Sequence, residues 1–313
     1  MAERRGPSRA DFDATRHDIE AQVRATNDKL NARTGRPIVL AIVVGVALGA
    51  ALLASLLIVK ELFMLFAAIL IVVASFEFAT ALRKVGRHVS RIPIIIAAIA
   101  IVPASFYGIG PAIGLGREAG HWLVAIAGVL LVVLWRVAEL IWPSKRVTPS
   151  ELVRDLGTAA FAVLYVSFLP SFFVLLTAHD GGQWWTLAAL IVVVSVDTGA
   201  YVSGLNFGKH PMVPLISPKK TWEGFAGSVA AAVLAGVLLA IFMLHEEWWV
   251  GVILGLAMVL TATVGDLTES LIKRDLGIKD ISTWLPGHGG LLDRLDSALP
   301  SAAAAYALFI IFT

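Results

Sequence analysis

The sequence predicts an all-α polytopic membrane protein, a bundle of about nine transmembrane helices. Three observations predict it. Hydrophobic residues make up 58% of the 313-residue chain and charged residues only 15%, where a soluble domain sits nearer about half and about a quarter. Mean hydropathy is +0.82. The apolar residues are gathered into segments of roughly 20, the length a helix needs to cross a bilayer core. Hydrocarbon offers no partner to a bare N–H or C=O, so lipid-facing loops and open sheet edges are excluded and the spans are helical. Water-soluble classes drop out. The chain has no Cys, which removes disulfides, thiol nucleophiles and Cys-based metal or Fe–S centres. A net charge of +2 says little; the placement of the charges says more.

Residues 1–36 are polar, rich in Arg and Asp, and contain no apolar run. They are too long and too charged for the start of a signal peptide. A solvated cytoplasmic tail is expected, with a short surface helix over 11–32. Residues 37–180 hold five apolar segments, 38–59, 62–82, 92–108, 121–142 and 156–177. Residues 181–313 hold four more, 184–204, 225–244, 248–264 and 297–313, and are read as the catalytic region. Only Lys60-Glu61 parts the first two segments, so a tight hairpin is expected there. Pro93 and Pro103 in the third and Pro170 in the fifth predict kinks, which neighbouring helices make tolerable. Gly45-x-x-x-Gly49 and the small residues of 226–232 permit close helix approach, within one subunit or across a homodimer face.

The basic residues alternate from side to side. With the tail in the cytoplasm, the loops returning to that side carry Arg83, Lys84, Arg87 and Arg91, then Lys145, Arg146 and Arg154, then Lys209, Lys219 and Lys220, then Lys273, Arg274, Lys279 and Arg294. The other side receives Lys60 and Arg117, and its loops are otherwise neutral or acidic. This is the positive-inside pattern, with the termini on opposite sides. Trp184, Trp185, Trp248 and Trp249 then begin their spans at the outer interface, where amphipathic rings belong.

Three polar clusters fall on the cytoplasmic side. Asp197 lies within an apolar segment, followed by Tyr201 one helical turn on; an acid there either pairs with a basic side chain or faces a cation or a wet cavity. Ser217-Pro218-Lys219-Lys220 precedes the seventh span, with Pro218 expected to set the turn. Its lysines serve equally as interfacial anchors or as an anion site at a helix N-terminus. The third cluster is the longest polar stretch between apolar segments. Asp266, Glu269 and Lys273 share a helix side at three- and four-residue spacing, and Asp293, Arg294 and Asp296 open the last span. Mg²⁺ takes one or two carboxylates plus substrate phosphate oxygens, and Asp266 and Asp293 sit where they can supply them. His288-Gly289-Gly290 offers backbone N–H groups without side-chain obstruction.

Ser270, Lys273, Arg274, Lys279, Asp280, the run from Pro286 to Gly290, Asp293, Arg294 and Asp296 follow one spacing pattern throughout. In it the chain resembles the phosphatidate cytidylyltransferase family, closely over about residues 190–300 and by hydropathy alone before that. The resemblance implies the reaction of CTP with phosphatidic acid to give CDP-diacylglycerol and pyrophosphate, in a multi-pass protein of the inner (plasma) membrane. It implies Asp266 and Asp293 as ligands of Mg²⁺, with Asp197 and Asp296 as further ligands, two metal ions, and room for a monovalent cation. Lys273 and Arg274 join Asp266 and Asp293 as the catalytic set; Ser217, Lys219, Lys220, Lys279, His288, Gly289, Gly290 and Arg294 are expected to bind substrate. The implied partners are CTP, phosphatidic acid and membrane lipids, without nucleic acid. Another CTP-using membrane transferase, such as a polyprenol kinase, is the alternative enzyme. An ion-coupled transporter would explain Asp197 but not the Gly-rich, Arg- and Asp-dense sequence on one face. A lipid-binding scaffold would not need Asp266, Asp293 and His288 together.

Overall fold

A computed structural model describes residues 38–109, 114–141, 148–282, 284 and 289–313. The tail 1–36 and the surface helix expected over 11–32 lie outside the described residues. Among the described residues the elements are α1 Ile38–Ile58, α2 Lys60–Lys84, α3 Arg91–Tyr107, α4 Arg117–Glu139, α5 Pro149–Ala178, α6 Gly182–Phe207, a hairpin of β1 Pro211–Val213 and β2 Ser217–Thr221, α7 Trp222–Leu244, α8 Trp248–Asp275 and α9 Leu292–Phe312. Seven helices, α2 and α4 to α9, are long and apolar enough to cross a membrane; α3 and the Gly45–Ile58 part of α1 are shorter apolar helices. The chain is an all-α multi-pass membrane protein, as its hydropathy predicts.

The differences lie at the polar ends. α5 starts seven residues before its apolar segment because Thr148 and Glu151 form a capping box: Thr148 Oγ1 accepts from Glu151 N at 3.3 Å, and Glu151 Oε2 accepts from Thr148 N at 2.9 Å. α8 runs on through the polar residues to Asp275. The Pro170 irregularity takes the form of a π-helical stretch, Ala162–Phe168, where Leu169 N–H reaches back five residues to Leu164 O. The wider turn accommodates a proline that has no N–H and whose ring crowds the carbonyl four residues before it. Pro218 does not set a turn. It lies in β2, and the turn is Pro214-Leu215-Ile216. A two-stranded hairpin consists only of edges, so a residue without a donor fits there.

Within lipid, burying Leu gains little over leaving it in hydrocarbon, so contact between helices rests on van der Waals fit and polar links. Glycines set that fit. A Cβ on Gly199 would stand 2.6 Å from Gly227 O, and one on Gly255 2.8 Å from Ala232 O, so α6–α7 and α7–α8 pack backbone to backbone. Gly45 and Gly49 differ: an added Cβ meets nothing within 4 Å, so no described helix of this chain closes on that stripe. Arg136 Nη2 donates to Asp155 Oδ2 at 2.9 Å, with Asp155 1% exposed, and this ties α4 to α5. Removing one member of such a pair costs about 3–5 kcal/mol.

The loops sort onto two faces. On one, Arg87 meets Asp275 at 3.6 Å and Asp155 Oδ1 accepts from His88 N at 3.3 Å. On the other, Lys60 Nζ donates to His179 O at 2.6 Å and His179 meets Glu118 at 3.2 Å.

Candidate active site

The ends of α6 and α8 and the starts of α7 and α9 meet around a cavity of about 400 Å³ on the Arg87 face. Asp197 and Tyr201 line it from α6, Lys219 and Lys220 from β2, Asp266 from α8, and Asp293, Arg294 and Asp296 from α9. Ser217 lines it as well. Four carboxylates and three basic side chains from separate elements thus converge on one volume.

Local sequence explains each placement. Gly199 and Gly227 let α6 and α7 touch, which sets Asp197 beside the start of α7. Gly265 plays the same part for Asp266: a Cβ there would overlap Asp296 O, so only glycine allows the start of α9 against α8 at this level. Lys219 and Lys220 stand just before α7, as expected, and the chain there is the strand β2. Thr221 caps α7 by accepting from Gly224 N at 3.1 Å. Glu223 accepts from Lys209 N at 3.1 Å and His210 N at 3.2 Å, with His210 Nδ1 at 2.5 Å, and Trp222 N donates to His210 O at 3.0 Å. These bonds fasten the hairpin to the helix start and hold both lysines over the cavity.

The acids are matched internally. Lys220 Nζ lies 2.5 Å from Asp266 Oδ2. Lys273 Nζ lies 3.0 Å from Asp293 Oδ1 and 2.7 Å from Glu269 Oε2, and Glu269 is 1% exposed. The other oxygen of Asp293 accepts from Gly290 N at 2.8 Å and Ile281 N at 3.0 Å. Ser297 Oγ donates to Asp197 Oδ1 at 3.4 Å, and Ser297 N to Asp296 Oδ1 at 2.7 Å.

Other expected site residues stand away from the cavity lining. Lys273 reaches it only through Asp293. Arg274 is exposed and donates through Nε to Ile216 O at 3.3 Å, joining α8 to the hairpin turn. Lys279 is exposed on the loop after α8. His288 lies outside the described residues, as do Pro286 and Gly287. Gly289 has φ of +83°, a conformation that favours glycine, and an added Cβ would meet Asp293 Oδ2 at 3.2 Å. Gly290 spends its N–H on Asp293. In this arrangement the glycine pair shapes the loop around Asp293.

One residue of the constellation escaped the sequence reading. Glu77, within the apolar α2 and 2% exposed, accepts from Ser282 Oγ at 2.6 Å and from Leu292 N at 3.1 Å. It thus holds Ser282 and the first residue of α9, next to Asp293. The available signal was an acid inside a span, the same one that marked Asp197.

Among the described residues, no three Asp, Glu or His groups close on a point as a ready-made ion cage. The donor chemistry nevertheless fits Mg²⁺: four Asp carboxylates face one cavity, and this hard cation typically uses one or two carboxylates, waters and substrate phosphates.

Residues 39–312 match the Cytidylyltransferase family. A phosphatidate cytidylyltransferase of Mycobacterium bovis is 38% identical over 291 residues, covering 88% of this chain and 89% of that protein. One of Mycobacterium leprae is 37% identical over 292 residues, 90% of each. A phosphatidate cytidylyltransferase of Brucella suis is 36% identical over 191 residues, 61% of this chain and 64% of that protein.

Proposed function

The chain belongs to the cytidylyltransferase family, and from that premise we propose that the cavity between α6, α7, α8 and α9 is where CTP and phosphatidic acid react. The protein is a membrane nucleotidyltransferase that makes CDP-diacylglycerol and pyrophosphate from CTP and phosphatidic acid. The observation carrying the placement is the convergence of Asp197, Asp266, Asp293 and Asp296 with Lys219 and Lys220 on one volume at one face of the bundle.

An oxygen of the lipid phosphate attacks the α-phosphorus of CTP. A new P–O bond forms, the bond to the bridging oxygen of the β-phosphate breaks, and pyrophosphate leaves with that electron pair. The nucleophile needs no strong base, because a phosphomonoester has its second pKa near ~6 and is largely ionised at neutral pH. That agrees with a cavity whose lining, among the described residues, includes no Ser–His or Cys–His pair. The obstacle is repulsion between two anions. Lys219 and Lys220 would hold phosphate oxygens, and Lys220 would exchange Asp266 for phosphate as substrate enters. Lys273 acts by orienting Asp293, and Arg274 by holding the hairpin to α8. Arg294 borders the same cavity and suits the lipid phosphate. Asp266 and Asp293, with Asp197 and Asp296, would hold Mg²⁺, either two ions or one beside a monovalent cation, and the bound charge would offset that of the phosphates. In-line alignment and charge stabilisation account for such a transfer.

The basic face belongs in the cytoplasm, where CTP is made, which places the N-terminal tail there and the C-terminus opposite. The test is pyrophosphate release by purified protein in detergent. Release that requires CTP, phosphatidic acid and Mg²⁺ together is expected. CTP breakdown that ignores phosphatidic acid would refute the proposal.

A further inference from the structure

The first two turns of α9 form a wall with a cavity on each side. Asp293, Asp296 and Ser297, at three- and four-residue spacing, line the polar cavity described above. Leu291, Leu295 and Leu299, four apart, line a second cavity of about 240 Å³ that α1 and α2 close through Gly49, Phe66 and Leu70. The second cavity is apolar apart from Arg294, and Arg294 borders both. Two volumes of opposite character thus share one helix and one arginine.

Phosphatidic acid has the same division. Its phosphate must enter the polar cavity to react, and its acyl chains gain nothing among four carboxylates. Arg294 lines both volumes, so a lipid whose phosphate meets it from the polar side lies next to apolar space. Arginine suits the crossing: its methylene stem can lie along apolar surface while the guanidinium meets a phosphate in a planar, two-pronged grip.

We propose that the cleft between α1, α2 and the start of α9 is an acyl-chain subsite for the lipid substrate, with Arg294 at its mouth. The inference rests on the reaction proposed above. At about 240 Å³ the cleft is smaller than the roughly 300–1,000 Å³ pockets that bury a drug-sized ligand, so it takes the glycerol-proximal part of one chain and leaves the other to the bilayer.

Gly49 gives the handle. A Cβ added there meets nothing within 4 Å and Gly49 lines the cleft, so a larger side chain starts in open space at the cleft's edge. Gly45 is one turn earlier on the same helix and equally open, but does not line the cleft. Gly49→Phe and Gly45→Phe are therefore a matched pair. Wild type and both variants are exposed to phosphatidic acid carrying a photoactivatable diazirine in one acyl chain, and to phosphatidylcholine carrying the same chain. Labelled peptides are identified by mass spectrometry, and turnover of long- and short-chain phosphatidic acid is measured on the same preparations. In wild type and Gly45→Phe, labelled phosphatidic acid should mark residues 48–52 and 63–71 well above phosphatidylcholine. Gly49→Phe should lose that label several-fold and raise KM for long-chain more than for short-chain substrate. Label elsewhere, equal label from both lipids, or Gly49→Phe behaving like Gly45→Phe overturns the subsite. Wild type labelled in the cleft yet making no CDP-diacylglycerol would instead overturn the reaction and leave the subsite standing.

Discussion

Replacing Glu77 with Ala tests whether the loop before α9 is held from outside the polar cavity. Glu77 accepts two hydrogen bonds, from Ser282 Oγ and from the buried Leu292 N–H, one near each end of the segment that includes Gly290. Ser282 is half-buried and finds water once its acceptor is gone. Leu292 N–H does not, being 1% exposed at the residue level, and a buried donor left without a partner costs about 1–3 kcal/mol. If that free energy is what keeps Asp293 in register with Lys273 and the cavity, kcat/KM falls roughly 5- to 150-fold, at about 1.4 kcal/mol per factor of ten. Glu77→Gln keeps one acceptor oxygen and should lose less than about tenfold. The assay is CDP-diacylglycerol formation in detergent with CTP and phosphatidic acid varied separately, alongside thermal unfolding of each variant. Glu77→Ala with kcat/KM within about twofold of wild type and unchanged Tm would refute the anchoring argument.

Three further outcomes are expected. Lys219→Ala and Lys220→Ala should raise KM for CTP or phosphatidic acid more than they lower kcat, since a point charge on a phosphate acts before and during the reaction; wild-type values of both constants would reduce the pair to interfacial anchors. Leu215, 93% exposed in the hairpin turn, is a clean labelling site in a chain without cysteine. Leu215→Cys should react with an impermeant thiol reagent only after cells are permeabilised, and reaction in intact cells would reverse the topology. Gly251→Leu should destabilise the fold by about 1–3 kcal/mol or more, because its side chain would overlap the Gly236 backbone. Wild-type thermal stability would mean that α7 and α8 do not pack that closely.

The spans were legible because hydropathy is nearly a direct reading of environment in a membrane protein. Legibility failed where local sequence competes with hydropathy. A capping box carried α5 beyond its apolar segment. The hairpin of β1 and β2 was missed because three- and five-residue strands leave too short a pattern. In the site, Asp197, Lys219, Lys220, Asp266, Asp293, Arg294 and Asp296 do line one cavity, since spacing on helices and position at helix ends both survive folding. The division of labour was not legible. Gly290 and Lys273 turn toward Asp293, Glu269 toward Lys273 and Arg274 toward the hairpin, and Glu77 reaches the loop across more than two hundred residues of chain. Such contacts depend on which helices become neighbours, and periodicity within one helix does not encode that. The Gly45-x-x-x-Gly49 pattern shows the converse: among the described residues no helix of the same chain packs on it.

The most direct measurement follows the two ends of CTP. Purified protein is given phosphatidic acid with CTP radiolabelled at the α-phosphorus or, in parallel, at the γ-phosphorus, and the lipid and aqueous phases are counted for wild type and Asp266→Asn. The expected result is α-label in the lipid, γ-label only in water-soluble pyrophosphate, one for one, and loss of both products in Asp266→Asn. Label from the γ-phosphorus in the lipid, or undiminished transfer by Asp266→Asn, would contradict it.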